Sequence, residues 1–326
     1  MPVTKFTNLD FDQIKTQIKD YLRANSNFTD FDFEGSNFSV LIDALAYNTY
    51  ISAFNSNLVV NESFLDTATL RENVVSLARN IGYVPRSKSA ARASISFNVT
   101  ANTTSSELKL QPGLVCVGRS NDSDIVFSIS EEIIASTTVN SGIATASFGS
   151  VSSPIDVLEG TFLTSQFIVD GSLEQRFVLD NANIDTSSIV AYVGTPGVLG
   201  KQYKMIDNIV GISSISDTYL IQEVQDERYE LLFGDGIFGR KPDNGAVITV
   251  QYVVTSGSEG NGPSSFNFAG SFIGDNGQII TPSFTPTINT ISAASNGGDI
   301  ESVDSIKYFA PRLYSSQYRA VTARDY

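Results

Sequence analysis

The chain has 326 residues, 41% of them hydrophobic and 17% charged, with a formal net charge of −14, one cysteine and no histidine. That length holds roughly two or three domains, and the apolar content is ordinary for soluble cores. No apolar run approaches the roughly 18 residues of a membrane span, one cysteine builds no internal disulfide framework, and no basic cluster is there to neutralise nucleic-acid phosphates.

Acidity is uneven: residues 91–299 hold 9 Lys/Arg against 22 Asp/Glu, and residues 1–90 hold 8 against 10. The start, "MPVTKFTNLDFDQIK", has no apolar h-region, so it does not read as a secretory signal, and the cytoplasm is the expected place of synthesis. Residues 10–24 place Phe11, Ile14, Ile18 and Tyr21/Leu22 at helical spacing. Asp10 stands as the cap, with Gln13 three residues on. After a polar, aromatic loop, "SNFSVLIDALAYNTYISAFNSNLVV" predicts a long helix from about residue 36, capped by Ser36.

That helix carries two apolar stripes. Phe38, Leu41, Ile42 and Leu45 form one; Val40, Ala44, Tyr47, Ile51, Phe54 and Leu58 form the other, nearly opposite at about 100° per residue. A third helix over 66–81 carries Leu70, Val74, Leu77, Ala78 and Ile81, with Gly82 at the C′ position and Pro85 blocking continuation. Three helices in ninety residues cover one stripe more readily than all of them, since small bundles are marginal alone. Two readings stand side by side: helices of another chain complete the bundle, or the bundle closes on itself or on the β region. The candidate partner face is Phe11, Ile14, Ile18, Leu22, Phe38, Leu41, Ile42, Leu45, Tyr47, Ile51, Phe54 and Leu58.

From about residue 92 the period switches to two. "RASISFNVT", "LVCVGRS", "DIVFSIS", "SQFIVD" and "QRFVLD" are short, β-branched or aromatic, and bounded by turn residues. Cys116, inside "GLVCVG", reads as a small buried hydrophobe. The expected fold class is α+β: an N-terminal helical bundle segment, then mostly antiparallel β domains, then a short helical C-terminal segment. The expected boundaries are 1–90 for the helical region, 91–270 for the β-rich domain or domains, 271–299 for a loop or linker, and 300–326 for the start of a further domain. The last stretch turns helical after Asp299 and is expected to break at Pro311.

The one chemical fingerprint is "FGDGIFG", a literal G-x-G-x-x-G at Gly234, Gly236 and Gly239. A dinucleotide site needs that turn to lead from a strand into a helix whose N-terminus faces the pyrophosphate. Here "RKPDNG" and the strand-like "AVITVQYVVT" follow instead. Gly234, Asp235, Gly236, Gly239 and Arg240 therefore read as a structural turn, Asp235 bending it and Arg240 pairing at the surface. Without histidine there is no Ser-His-Asp or Cys-His arrangement and no His-based metal site. The neighbours Glu131–Glu132 and Asp226–Glu227 point to opposite faces of a strand and do not converge. "DNANID" at 180–185 lacks the spacing of a calcium loop and reads as a solvated turn. No enzyme, cofactor or metal is expected.

Three segments resemble the baseplate J-like family, specifically its baseplate wedge proteins of contractile-tailed bacteriophages. They are 31–91 ("FDFEGSNFSVLIDALAYN…RSKSAA"), 233–262 ("FGDGIFGRKPDNGAVITVQYVVTSGSEGNG") and 310–326 ("APRLYSSQYRAVTARDY"), in the family's order. The resemblance implies a structural virion protein of the tail baseplate, assembled in the host cytoplasm. It implies a helical bundle with other wedge proteins, a homodimer within the wedge, and a ring with neighbouring wedges. It further implies contact with sheath- and tube-proximal proteins, with neither direct nucleic-acid nor membrane binding, and coupling of baseplate rearrangement to sheath contraction. Family members continue past the "RAVT…DY" element into further domains that help close the ring. This sequence stops on that element at Tyr326, so either the protein is short or residues beyond 326 are not included, and the resemblance does not carry ring closure through such domains over to it. Two other readings stand beside it: a carbohydrate-binding or hydrolytic tail accessory protein, and the same scaffold in a bacterial contractile injection system. The segments 83–91 and 262–299 are the expected places of any conformational switch.

Overall fold

The computed structural model describes residues 10–25, 37–120, 123–172, 175–206 and 211–315. The architecture is α+β, with three N-terminal helices, a long run of mostly antiparallel strands and one C-terminal helix. It divides into two units: residues 1–84 with 302–326, and residues 85–301.

In the helical unit, α1 (Phe11–Asn25) begins where Asp10 Oδ1 accepts the N–H groups of Asp12 (3.0 Å) and Gln13 (3.1 Å), the N-cap its sequence foretells. Helix α2 (Asn37–Glu62) is 26 residues long; the Ser36 cap falls outside the described residues. Helix α3 (Arg71–Asn80) has Leu70 at its N-cap, which has no side-chain oxygen to offer. Glu62, at the end of α2, fastens the turn that leads into α3. It accepts the Thr69 N–H (2.8 Å), the Leu70 N–H (3.3 Å), the Thr69 hydroxyl (2.6 Å) and the Asn73 amide (2.8 Å). Desolvation pushes the Glu62 carboxyl up, but those four bonds outweigh it and hold the carboxyl below the ordinary range. Gly82 takes φ +81° and donates to the Arg79 carbonyl, closing α3 as a C′ glycine should.

Helix α4 (Val303–Ser315) packs on α3. Val74, Val75, Ala78 and Tyr83 share one buried cluster with Ile306 and Ala310. The described part of the C-terminal stretch shares the N-terminal core, because its apolar face meets the α3 stripe. One expectation changes here: the helix runs through Pro311 rather than breaking there. The ring removes one donor, while the Arg312 guanidinium donates to the Tyr308 carbonyl (2.5 Å) in the weakened turn. Residues 316–326, which carry the last family-like motif, lie outside the described residues.

The β unit runs from β1 (Arg92–Asn102), β2 (Glu107–Leu110), β3 (Gly113–Ser120), β4 (Ser123–Ile129), β5 (Ile133–Asn140), β6 (Ile143–Phe148) and β7 (Ile155–Glu159) into β8 (Thr161–Ile168) and β9 (Phe177–Val178). Then come β10 (Ile184–Gly194), β11 (Lys201–Met205), β12 (Thr218–Glu223), β13 (Tyr229–Phe233), β14 (Val247–Val254), β15 (Phe266–Phe268), β16 (Phe272–Gly274), β17 (Ile279–Ile280) and β18 (Ile288–Ser295). One sheet has the order β15-β3-β4-β7-β1-β6-β5-β2-β16-β17, with β18 added on β1; the other is β8-β14-β10-β11-β12-β13-β9. The first buries Phe97, Phe127, Phe148, Phe266 and Phe272, whose rings stack or meet edge-on, while the second buries Tyr203, Tyr219, Tyr229 and Tyr252. Alternation along each strand puts these on one face.

The stretch 271–299, expected as loop or linker, carries three strands. β18 pairs with β1 along Arg92–Phe97. Its sequence, INTISAAS, has little hydrophobicity to announce it, because partial burial at an added strand asks for small residues more than large ones. The pairing is otherwise antiparallel apart from β11 with β12. Cys116 is fully buried, and burial pushes its thiol up to about 12, so it behaves as an inert hydrophobe.

Candidate functional site

The α2 surface departs from the usual amphipathic plan. Its buried residues are Ser39, Ile42, Ala46, Asn57 and Asn61, a face of small and polar side chains that lies between the two apolar stripes. Helix α1 packs on this helix, with Lys15 Nζ 2.5 Å from Asp43 Oδ1. Close approach explains the composition: small residues let two helix backbones come together.

Apart from Ile42, both stripes are left outside. Tyr47 is 61% exposed, Leu45 57%, Phe54 48% and Leu58 43%, and Phe38, Leu41 and Ile51 are exposed as well. Of the sequence-derived partner face, Ile14 and Ile42 are buried within the unit, so they hold α1 and α2 together. Phe11, Ile18 and Leu22 are half-buried on α1. One feature was missed in the sequence reading: Val40, Ala44, Tyr47, Ile51, Phe54 and Leu58 recur at intervals of 4, 3, 4, 3 and 4. Alternating steps of 4 and 3 keep all six on one side of the helix, the spacing by which one helix seats against another, and the spacing alone held the signal.

The glycine motif is a bend between β13 and β14. Gly236 and Gly239 take φ +93° and +85°, conformations that cost L side chains energy. Gly236 donates to the Gly239 carbonyl (3.1 Å), Gly239 to Ser213 (3.1 Å) and Arg240 to Ser216 (2.8 Å). Asp235 Oδ1 accepts the Ile237 and Phe238 N–H groups, both at 2.8 Å, and these bonds hold its carboxyl below the ordinary range. Arg240 Nε lies 3.0 Å from Asp217 Oδ1. At Gly234 a Cβ would stand 2.2 Å from the Gly239 carbonyl carbon, so that glycine is needed for contact, not for φ. The turn leads from strand to strand, so no helix N-terminus faces it.

Several acidic groups are tied into the fold. Glu132 accepts from Gln111 (3.0 Å) with Lys109 nearby, and Asp226 pairs with Arg228. Asp185, at the end of "DNANID", is 2% exposed and accepts from Ala90 N–H and from the Ser187 N–H and hydroxyl. Among the described residues no three His, Cys, Asp or Glu stand together to hold a metal ion, and no helix is long and apolar enough to cross a membrane.

An outward apolar stripe on a helix of the helical unit is a feature of proteins that assemble with others. The comparisons make this particular. Residues 10–83 match the family model described as "Baseplate wedge protein gp6-like, helical domain". The chain is 30% identical, over an alignment of 341 positions, to "Baseplate wedge protein gp6" of Enterobacteria phage T4. The alignment takes in 98% of this chain and 49% of that protein, so the chain spans about half the length of the curated relative it matches. The resemblance read from three sequence segments thus extends along nearly the whole chain. The likeness is to a structural protein of the phage tail baseplate, a part of the virion.

Proposed function

We propose that this chain is a wedge component of a contractile-tail baseplate whose α2 seam docks helices of partner wedge proteins. The observation that carries the reading is the exposed apolar stripe, stepping by 4 and 3 residues, from Val40 to Leu58. A stripe of that period seats the knobs of a second helix, and an apolar face this long is rarely left to water. A helix of 26 residues extends about 39 Å at 1.5 Å per residue, long enough for several heptads of contact. The opposite stripe, with Phe38, Leu41 and Leu45, offers a second partner, and two docked helices fit a homodimer within the wedge plus one further chain. Ring formation with neighbouring wedges and coupling to sheath contraction belong to the same proposal, supported by the family likeness.

The test is co-expression with the other wedge proteins of the same phage. The wild-type chain is expected to co-purify with at least one of them in a fixed ratio, and the pair Tyr47→Asp with Phe54→Asp to abolish this while the chain stays folded. A chain that remains alone, or a double variant that binds equally well, defeats the reading.

A further inference from the structure

Between β17 and β18 the chain arches away from β1 and opens a cleft beside it. Ile288, at the start of β18, pairs with Phe97, and the Ser283 N–H donates to the Thr100 carbonyl (2.8 Å). Residues 284–287 therefore span a gap where β1 has only Asn98 and Val99, and the surplus bulges outward. The arch is held at both ends: Pro282 bridges to Ala101 and Thr287 to Asn267. Pro282 and the buried Pro286 each fix a φ angle within it.

Phe284 stands on this arch 82% exposed. It lines a cleft of about 440 Å³ together with Asn98, Thr100, Thr285, Thr287 and Asn289. Alternation along β1 puts Asn98 and Thr100 on the face opposite the buried Phe97, Val99 and Ala101, and Asn289 pairs with Ser96 of that same face. Elsewhere the polar side chains of turns are tied into the fold. Asp275 accepts from Ser105 and Ser106, and the Asn261 amide donates to the Ser258 and Gly297 carbonyls. Those of the cleft are not. Among the described residues the side chains of Asn98, Thr100, Thr285 and Thr287 bond to no protein group, and Asn289 reaches only Ser96, at 3.4 Å.

We infer that this cleft binds a neutral sugar unit of a glycan. One face of a pyranose is a patch of C–H groups that lies flat on an aromatic ring, while its rim of hydroxyls both donates and accepts. Phe284 supplies the ring, and the Asn98 and Asn289 amides with the Thr100, Thr285 and Thr287 hydroxyls supply groups that do both. No charged side chain lines the cleft, which matches an uncharged ligand, and a chain of net charge −14 repels acidic glycans. The site binds and does not cleave: glycoside hydrolysis takes a pair of carboxylates flanking the bond, and none lines this cleft. One ring and a few hydrogen bonds hold a single sugar unit with a Kd on the order of millimolar. The inference is independent of wedge docking, since α2 belongs to the other unit.

The test uses the full chain. Glucose, galactose, mannose, N-acetylglucosamine and short oligomers of each are titrated by saturation-transfer NMR, with oligogalacturonate as the charged comparison. At least one neutral sugar is expected to bind. Phe284→Ala should weaken it about tenfold, and Asn98→Ala about threefold to tenfold. Ile215→Ala, which removes a comparably exposed apolar side chain beside the second sheet, should leave binding unchanged. Phe284 and Asn98 are both exposed, so each variant should keep the wild-type thermal transition; if Phe284→Ala lowers it, Asn98→Ala decides by the same reading. A free sugar or an oligomer bound supports the inference alike, and the tighter of the two shows whether the cleft takes one unit or a stretch of chain. No neutral sugar bound, binding that both variants leave intact, or oligogalacturonate bound as tightly as the neutral sugars overturns it.

Discussion

Two single residues carry more of the helical unit and of the bend than their types suggest. Glu62 anchors the start of α3 through four bonds, so Glu62→Ala is expected to cost about 1–2 kcal/mol, the range of a lost N-cap, read as a lower midpoint in urea. Its carboxyl is held below the unfolded value of 4.5. The sign follows: the contribution is complete above pH 4.5 and fades as pH falls through the lower folded value, and the alanine variant should lack that acid-side loss. Gly234→Ala drives a methyl into the Gly239 backbone and should destabilise the β unit by about 3 kcal/mol, more than Gly236→Ala, which meets only the edge of Lys241. The bend was legible in the sequence because a second turn and strand follow the glycines. The role of Glu62 was not, since its partners lie 7 to 11 residues ahead, past a turn that no cap pattern encodes.

At the scale of elements, α2 separates what the sequence tells from what it withholds. The helix and its two stripes are plain in the spacing, while the buried side is hidden because Ser39, Ala46 and Asn57 look like surface residues. Burial there is a matter of close approach, not of hydrophobicity. Ala46 is fully buried, so Ala46→Leu is expected to cost about 1–3 kcal/mol by overpacking. Tyr47, its neighbour, is 61% exposed, and Tyr47→Asp should shift stability by no more than about 0.5 kcal/mol. Thermal unfolding of the two variants reads both at once; the reverse ranking would mean that α2 buries the Tyr47 side and not the Ala46 side. β18 and α4 were obscured for a related reason: small residues in one and a proline in the other mask elements that packing stabilises.

At the scale of the molecule, the chain leaves the helical unit at residue 85 and returns at 302, and the two ends of the segment between are tied together. Ser89 donates to the Gly298 carbonyl (2.9 Å) and Gly298 to that of Ser89 (3.0 Å), while Glu301 donates to Arg86 (3.1 Å) and accepts the Arg86 N–H (3.0 Å). A segment with adjacent, mutually bonded ends and its own buried clusters has the anatomy of an inserted domain. The fragment 85–301 is therefore expected to fold alone, with a cooperative transition within about 5 °C of the β-unit transition in the full chain. The complementary variant is Ile306→Ala in the full chain. Ile306 is fully buried against α3, so the change should remove about 2–5 kcal/mol from the helical unit and leave the β transition where it was. Calorimetry of fragment and variant separates the cases: if the fragment lacks a cooperative transition, or Ile306→Ala lowers both transitions together, the two units depend on each other for their folding and the insertion is one in sequence only.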